Sequence, residues 1–180
     1  MLSKKILCIS GSTREGSTCV AILNTIAMKF SERANFEIYS RLDSMPHFDP
    51  DAEDSYLPEE VVHFRNAVEN TDAVIICTPE YVFSLPAVLK NALEWSVAST
   101  VFSDKPTAMI VASTAGEKTF ESLTLILKTI QAKLDDTCKL HLKGVRSKIQ
   151  SDNALTDATM LQNIDGVVNA LFSCMGKRIK

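Results

Sequence analysis

Two short stretches of this chain carry the side chains best suited to chemistry. The first is G-S-T-R-E-G-S-T at residues 11 to 18. It gathers hydroxyls from Ser12, Thr13, Ser17 and Thr18, a permanent positive charge from Arg14, and two glycines, Gly11 and Gly16, that let the backbone come close to a ligand. With a helix beginning at its end, unpaired backbone N–H groups and the positive end of the helix dipole complete an anion cradle. Such a set suits one phosphate. The dinucleotide pattern G-x-G-x-x-G is absent because Thr13 stands at the second glycine position, and no Gly-Lys-Ser/Thr follows as a Walker loop requires. A mononucleotide phosphate is therefore favoured over a dinucleotide or a nucleoside triphosphate. The same residues also suit a plainer role, in which Ser17 caps the helix and the glycines turn the chain.

The second stretch, residues 77 to 95, reads C-T-P-E-Y-V-F-S-L-P-A-V-L-K-N-A-L-E-W. It starts where the apolar run 73 to 77 stops, and its turn holds two prolines, Pro79 and Pro86. Between them lie a carboxylate (Glu80), two rings (Tyr81 and Phe83) and a hydroxyl (Ser84). A turn of this kind at the carboxyl edge of a sheet is where open α/β folds place ligands, and these residues suit something flat. Tyr81 is better explained by stacking or edge packing than by proton donation.

These two loops have to be held by regular elements. The run 73 to 78 is short, β-branched and apolar, the pattern of a strand buried on both faces of a parallel sheet. Further strands are expected at 4 to 10, 36 to 40, 107 to 113 and 137 to 142. Helices are expected at 17 to 32, 58 to 69, 86 to about 96, 119 to 134 and 156 to 175, from apolar residues at helical spacing and from Pro58 and Pro86 at starts. Residues 41 to 58, with Pro46, Pro50 and several acids, read as a long surface loop, and 144 to 157 as irregular. Five alternations of strand and helix predict one domain over 1 to 180, a doubly wound parallel sheet in three layers.

Composition narrows the function. Net charge is −3 with 23% charged residues, so nucleic acid is not an expected partner. No apolar run approaches the ~20 residues that cross a bilayer, and residues 6 to 10 suit a strand better than the apolar region of an export signal. Five scattered cysteines, with no C-x-x-C pair, fit reduced cytoplasmic thiols, Cys8 and Cys77 being strand core. His47, His63 and His141 are too scattered for a metal or triad role. Asp43, Asp49, Asp51, Glu53 and Asp54 read as a solvated loop, and Trp95 as a core or interface ring.

Together, residues 11 to 17 and 78 to 95 resemble the NADPH-dependent FMN reductase family, which includes quinone, azo-dye and chromate reductases. Its usual forms are Gly-Ser-x-Arg-x-x-Ser and Pro-Glu-Tyr-Asn-x-Ser-x-Pro-x-x-Leu-Lys-Asn-Ala-x-Asp-Trp, and the resemblance extends over roughly 4 to 172. It implies a flavodoxin-like fold with strand order 2-1-3-4-5, bound FMN, and reduction by NADPH or NADH followed by transfer to a small acceptor such as a quinone or a second flavin. It implies that Ser12, Arg14, Ser17 and Thr18 bind the FMN phosphate. Pro79, Glu80, Tyr81, Val82 and Phe83 would line the ring, largely through backbone groups, and the loop from Ser113 to Gly116 would approach its other edge. No catalytic side chain is implied, since the flavin carries the chemistry. A homodimer or homotetramer is implied too, with Lys90, Asn91, Glu94 and Trp95 in the contact segment.

This sequence departs from the family at Val82, usually Asn, at Phe83, often Gly, and in the loop 113 to 118, which lacks paired glycines. These departures bear on nicotinamide access and acceptor choice more than on flavin binding. An electron carrier of flavodoxin type and a flavin-binding regulatory protein without turnover are the competing expectations.

Overall fold

The computed structural model describes residues 4–14, 16–39, 41–52, 56–149 and 155–176. Five strands, β1 (Lys4–Ser10), β2 (Ala34–Tyr39), β3 (Ala73–Thr78), β4 (Thr107–Ser113) and β5 (Lys139–Lys143), form one sheet in the order β2-β1-β3-β4-β5. All four pairings are parallel. The helices are α1 (Thr18–Lys29), α2 (Glu59–Glu69), α3 (Ala87–Glu94), α4 (Glu117–Thr129) and α5 (Ala158–Gly176).

Alternation along the strands builds two cores, because successive side chains point to opposite faces. Ile6, Cys8, Ile75, Cys77, Ala108 and Ile110 pack under α1 and α5. Leu7, Ile9, Val74, Ile76, Met109 and Val111 pack under α2, α3 and α4. The chain leaves β1 outward to β2 and then crosses back to β3, so the order reverses between β1 and β3. Loops leaving β1 and β3 therefore part to opposite faces, and the crevice between them is the ligand position of this architecture.

Several expected boundaries shift for local reasons. The strand expected at 36 to 40 begins at Ala34, which pairs with Lys4; Ser40 lies outside the described residues. The first helix is shorter than 17 to 32 because Ser17 is its cap rather than its first turn. The helix expected to reach 134 stops at Thr129. Gln131 turns left-handed (φ 60°), and Lys133 leaves the helix to exchange hydrogen bonds with Lys105 and Thr107, both at 3.0 Å. The strand expected at 137 to 142 is displaced to 139–143 because Asp135 accepts from Thr137 N–H at 2.9 Å and closes a 3-10 turn, Asp136–Cys138.

The expected surface loop 41 to 58 is more closely held than its composition suggests. Leu42 and Met45 are buried, and the Pro46 carbonyl accepts from Asn91 Nδ2 at 2.8 Å and Trp95 Nε1 at 2.9 Å. Asn91 Oδ1 accepts from Phe48 N–H at 2.8 Å. Asn91 and Trp95, expected in a subunit contact, are thus engaged within the chain. Asp43, Asp49 and Asp51 are exposed, while Glu53 and Asp54 lie outside the described residues.

Candidate functional site

At the carboxyl edge of the sheet the loops after β1, β3, β4 and β5 surround a cavity of about 190 Å³. Its walls are Ser12, Arg14, Ser17, Thr18 and Cys19 from the β1 side, Pro79 and Tyr81 after β3, Ala112, Ser113 and Thr114 after β4, and Gly144, Val145 and Arg146 after β5. A second cavity of about 340 Å³, towards β2, shares Ser12 and Arg14 with it.

The first loop is shaped by its own hydroxyls. Ser10 Oγ donates to the Ser12 carbonyl at 2.9 Å and accepts from Ser12 N–H at 3.3 Å. Ser12 Oγ accepts from Arg14 N–H at 3.4 Å. Ser17 Oγ accepts from Val20 N–H at 3.2 Å, which makes it the cap of α1, and its own O–H stays available to donate. The capping reading and the cradle reading are therefore compatible, since a serine cap uses only the acceptor side of the hydroxyl. Gly11 is required by packing, because a Cβ there would meet Thr78 Oγ1 at 2.3 Å. No carboxylate lines the cavity among the described residues, so its polar wall consists of donors and positive charge.

The loop after β3 is a two-residue hairpin. Tyr81 N–H donates to the Ser84 carbonyl at 2.9 Å and Ser84 N–H to the Tyr81 carbonyl at 3.0 Å. The two central residues, Val82 (φ 51°) and Phe83 (φ 59°), both lie in the left-handed region, as a type I′ turn requires and as Asn-Gly best provides. Here a β-branched and an aromatic residue hold that turn, an uncommon and strained choice. Their side chains project into solvent, 95% and 74% exposed, and neither forms a cavity wall. Tyr81 turns inward, its hydroxyl 3.5 Å from Ser12 Oγ, and bridges the two loops.

Glu80 also points away from the cavity. Its carboxylate accepts from Gly116 N–H and Thr119 N–H, both at 3.0 Å, and so caps α4 from another loop. Burial pushes its pKa up, but these backbone donors outweigh that and hold the carboxyl below its ordinary value. Gly116 (φ 91°) faces the imidazole of His141, whose Nε2 a Cβ would meet at 2.3 Å. With its N–H bound to Glu80, Gly116 contributes shape rather than a free donor. Lys143, at the end of β5, pairs with Glu117 in the first turn of α4. The loops after β3, β4 and β5 are thus tied together.

Of the residues expected from the sequence, Ser12, Arg14, Ser17, Thr18, Pro79, Tyr81 and Ser113 line one cavity; Glu80, Val82, Phe83 and Gly116 stand beside it. Sequence reasoning missed Cys19, Ala112 and residues 144–146. A signal existed for the last group, since they follow a strand that runs parallel to its neighbours and so ends at the same edge. In the strand core, away from the cavity wall, burial pushes the Cys8 thiol up to about 12 and raises that of Cys77 as well.

Residues 4–134 match the family described as NADPH-dependent FMN reductase. The chain is 40% identical over 108 residues to the NADH:(hydroxy)cinnamate reductase subunit CrdA of Vibrio ruber, a match covering 59% of this chain and 52% of that one. The chain thus spans about half the length of that relative. It is 30% identical over 176 residues to an NAD(P)H:quinone oxidoreductase of Solanum tuberosum, covering 93% of this chain and 90% of the other. Its fold is similar to that of FerB, a flavoenzyme NAD(P)H:(acceptor) oxidoreductase from Paracoccus denitrificans, with a TM-score of 0.81, 23% identity, and coverage of 96% and 97%.

Proposed function

The chain belongs to the NADPH-dependent FMN reductase family, and from that premise we propose that it is an FMN-dependent NAD(P)H oxidoreductase that transfers reducing equivalents from NADPH or NADH to a quinone, a flavin or a similar small acceptor. One observation carries this reading: a single cavity joins a wall of donors and positive charge to a wall formed by Pro79, Tyr81 and the strand end 112–114. The residues present fit FMN. A phosphate monoester carries about −1.5 to −2 charges at neutral pH and matches a site with arginine, hydroxyls, a helix N-terminus and, among the described residues, no carboxylate.

When bound, FMN supplies the two-electron chemistry. The chain's own groups bind and orient it. Arg14 neutralises the phosphate, Ser12, Ser17 and Thr18 donate to it, and Pro79 and Tyr81 line the ring. Ser113 and the adjoining 114–115 backbone approach its other edge, and Gly116, fixed by Glu80, sets that loop's course. Val82 and Phe83, exposed on the turn that carries Tyr81, would meet an incoming acceptor.

The same reading places the protein in the cytoplasm as a homodimer or homotetramer. All five cysteines are free thiols, which suits a reducing compartment. An apolar groove between α3 and α4, lined by Leu93, Val97, Leu125, Ile126 and Ile130, supports self-association; Val97 and Leu125 are largely exposed in it. Among the described residues no helix is long and apolar enough to cross a membrane. The exposed Val82–Phe83 tip favours one second reading, a carrier that docks a redox partner. Steady NADPH oxidation by the purified protein with FMN and a soluble quinone is the expected result. Oxidation only after a partner reductase is added would replace the reductase reading with the carrier.

A further inference from the structure

The segment after β5 contributes a cation that the motifs do not contain. Gly144 adopts φ 66° and turns the chain back over the sheet edge. Val145 then enters the core at 1% exposure, and Ser147 Oγ donates to the Gly144 carbonyl at 2.9 Å. Arg146 is therefore presented from an anchored 3-10 turn, Val145–Lys148, and it lines the same cavity as Arg14, Ser17 and Thr18.

The other cations of this segment are paired within the chain. In the stretch 139–148, Lys139 pairs with Asp136, Lys143 with Glu117, and Lys148 with Asp157 at 3.5 Å. Among the described residues Arg146 has no such carboxylate partner, and no carboxylate lines the cavity. Arg14 after β1 and Arg146 after β5 thus line one cavity in which, among the described residues, no carboxylate stands. Two like charges in a partly enclosed space raise each other's energy unless an anion enters. The anion that answers both geometry and charge is a doubly charged, multi-oxygen group that two arginine forks can grip at once.

We propose that Arg146 is a second phosphate-binding residue of this site, closing with Arg14 a clamp on a phosphate monoester. The proposal rests on the flavin-site reading above and adds a residue from an element the family motifs do not reach. The phosphate belongs to FMN or to the nicotinamide nucleotide, and the two sources are separable by experiment.

The test compares wild type with Arg146→Gln and Arg146→Lys, using flavin fluorescence quenching to measure the dissociation constants of FMN and of riboflavin, which lacks the phosphate. Arg146 is exposed, so the substitutions leave folding intact, as circular dichroism checks. Losing one charge-assisted contact should weaken FMN binding in Arg146→Gln by roughly 10- to 150-fold, leave riboflavin unchanged, and be partly restored in Arg146→Lys. Unchanged FMN binding with weaker binding of NADPH, whose 2′-phosphate is a monoester, keeps the clamp and assigns its phosphate to that nucleotide; equal weakening of NADH, which has no monoester, overturns it. Equal weakening of FMN and riboflavin, or no change in any ligand, overturns the proposal. Thermal stabilisation by inorganic phosphate needs no flavin and gives an independent arm: it should be smaller in Arg146→Gln, and equal stabilisation in both proteins also overturns the clamp. Wild type that binds no flavin but loses phosphate stabilisation on substitution would refute the FMN reading and leave the clamp standing.

Discussion

At the scale of single residues, the site separates groups that face the cavity from groups that shape it. Arg14 belongs to the first kind. Arg14→Ala should weaken FMN binding by about 1.5–3 kcal/mol, the range for a charge-assisted hydrogen bond, and an unchanged dissociation constant in a folded variant would remove Arg14 from the phosphate site. Val82 and Phe83 belong to the second. A left-handed non-glycine residue costs about 1–2 kcal/mol, and here two stand side by side. Replacing them with Asn and Gly should raise the melting temperature, by about 2–4 °C for each kcal/mol released, and should also widen turnover towards bulky quinones by removing the exposed ring beside Tyr81. A lower melting temperature would show that the native tip is held by contacts worth more than its strain. This turn also shows what the sequence could and could not disclose. Asn and Gly are usual at these two positions in the family, and a type I′ turn explains why. The substitution by Val-Phe was plain from the sequence, but that it strains the backbone emerged only from the torsion angles.

At the scale of elements, Glu80 joins two loops that belong to different strands. Its carboxyl is held below the ordinary value in the folded state, so the stabilisation it provides is present above the unfolded-state value of about 4.3 and is lost as pH falls through the lowered folded value. Glu80→Gln should cost about 1 kcal/mol at neutral pH, similar to losing a helix cap, and the gap from wild type should close in strong acid. Unfolding curves in denaturant at the two pH values decide this, and a pH-independent gap would count against a charged latch. The latch was not legible beforehand. Glu80 lies within a motif expected to line the ring through its backbone, and nothing local shows that its side chain caps a helix starting 37 positions later. The strands were far more legible, because burial on both faces leaves unbroken apolar runs at 6 to 9, 73 to 77 and 108 to 112. Helix and strand ends were less so, since residues such as Asp135, Gln131 and Lys133 set them through contacts specific to this fold. Arg146 was missed for a related reason: it follows the most polar of the strands (Lys139–Lys143), in a segment with no periodicity to mark it.

At the scale of the whole molecule, the sheet order places four loops at one edge and leaves an apolar groove between α3 and α4 open to solvent. A charge introduced there, Leu125→Glu, should shift the protein towards monomer in sedimentation experiments; wild type that sediments as a monomer would contradict self-association through any face. The fold itself does not assign an activity. The proposed activity rests on the meeting of a cation- and hydroxyl-bearing loop and the Pro79–Tyr81 turn in one cavity, and the spectrum of the purified protein tests that proposal most directly. After addition of FMN and removal of the excess, the protein should retain the flavin absorbance bands, and anaerobic NADPH should bleach them without any partner protein. Protein that retains no flavin would contradict the account, because the two loops would then not form an FMN site.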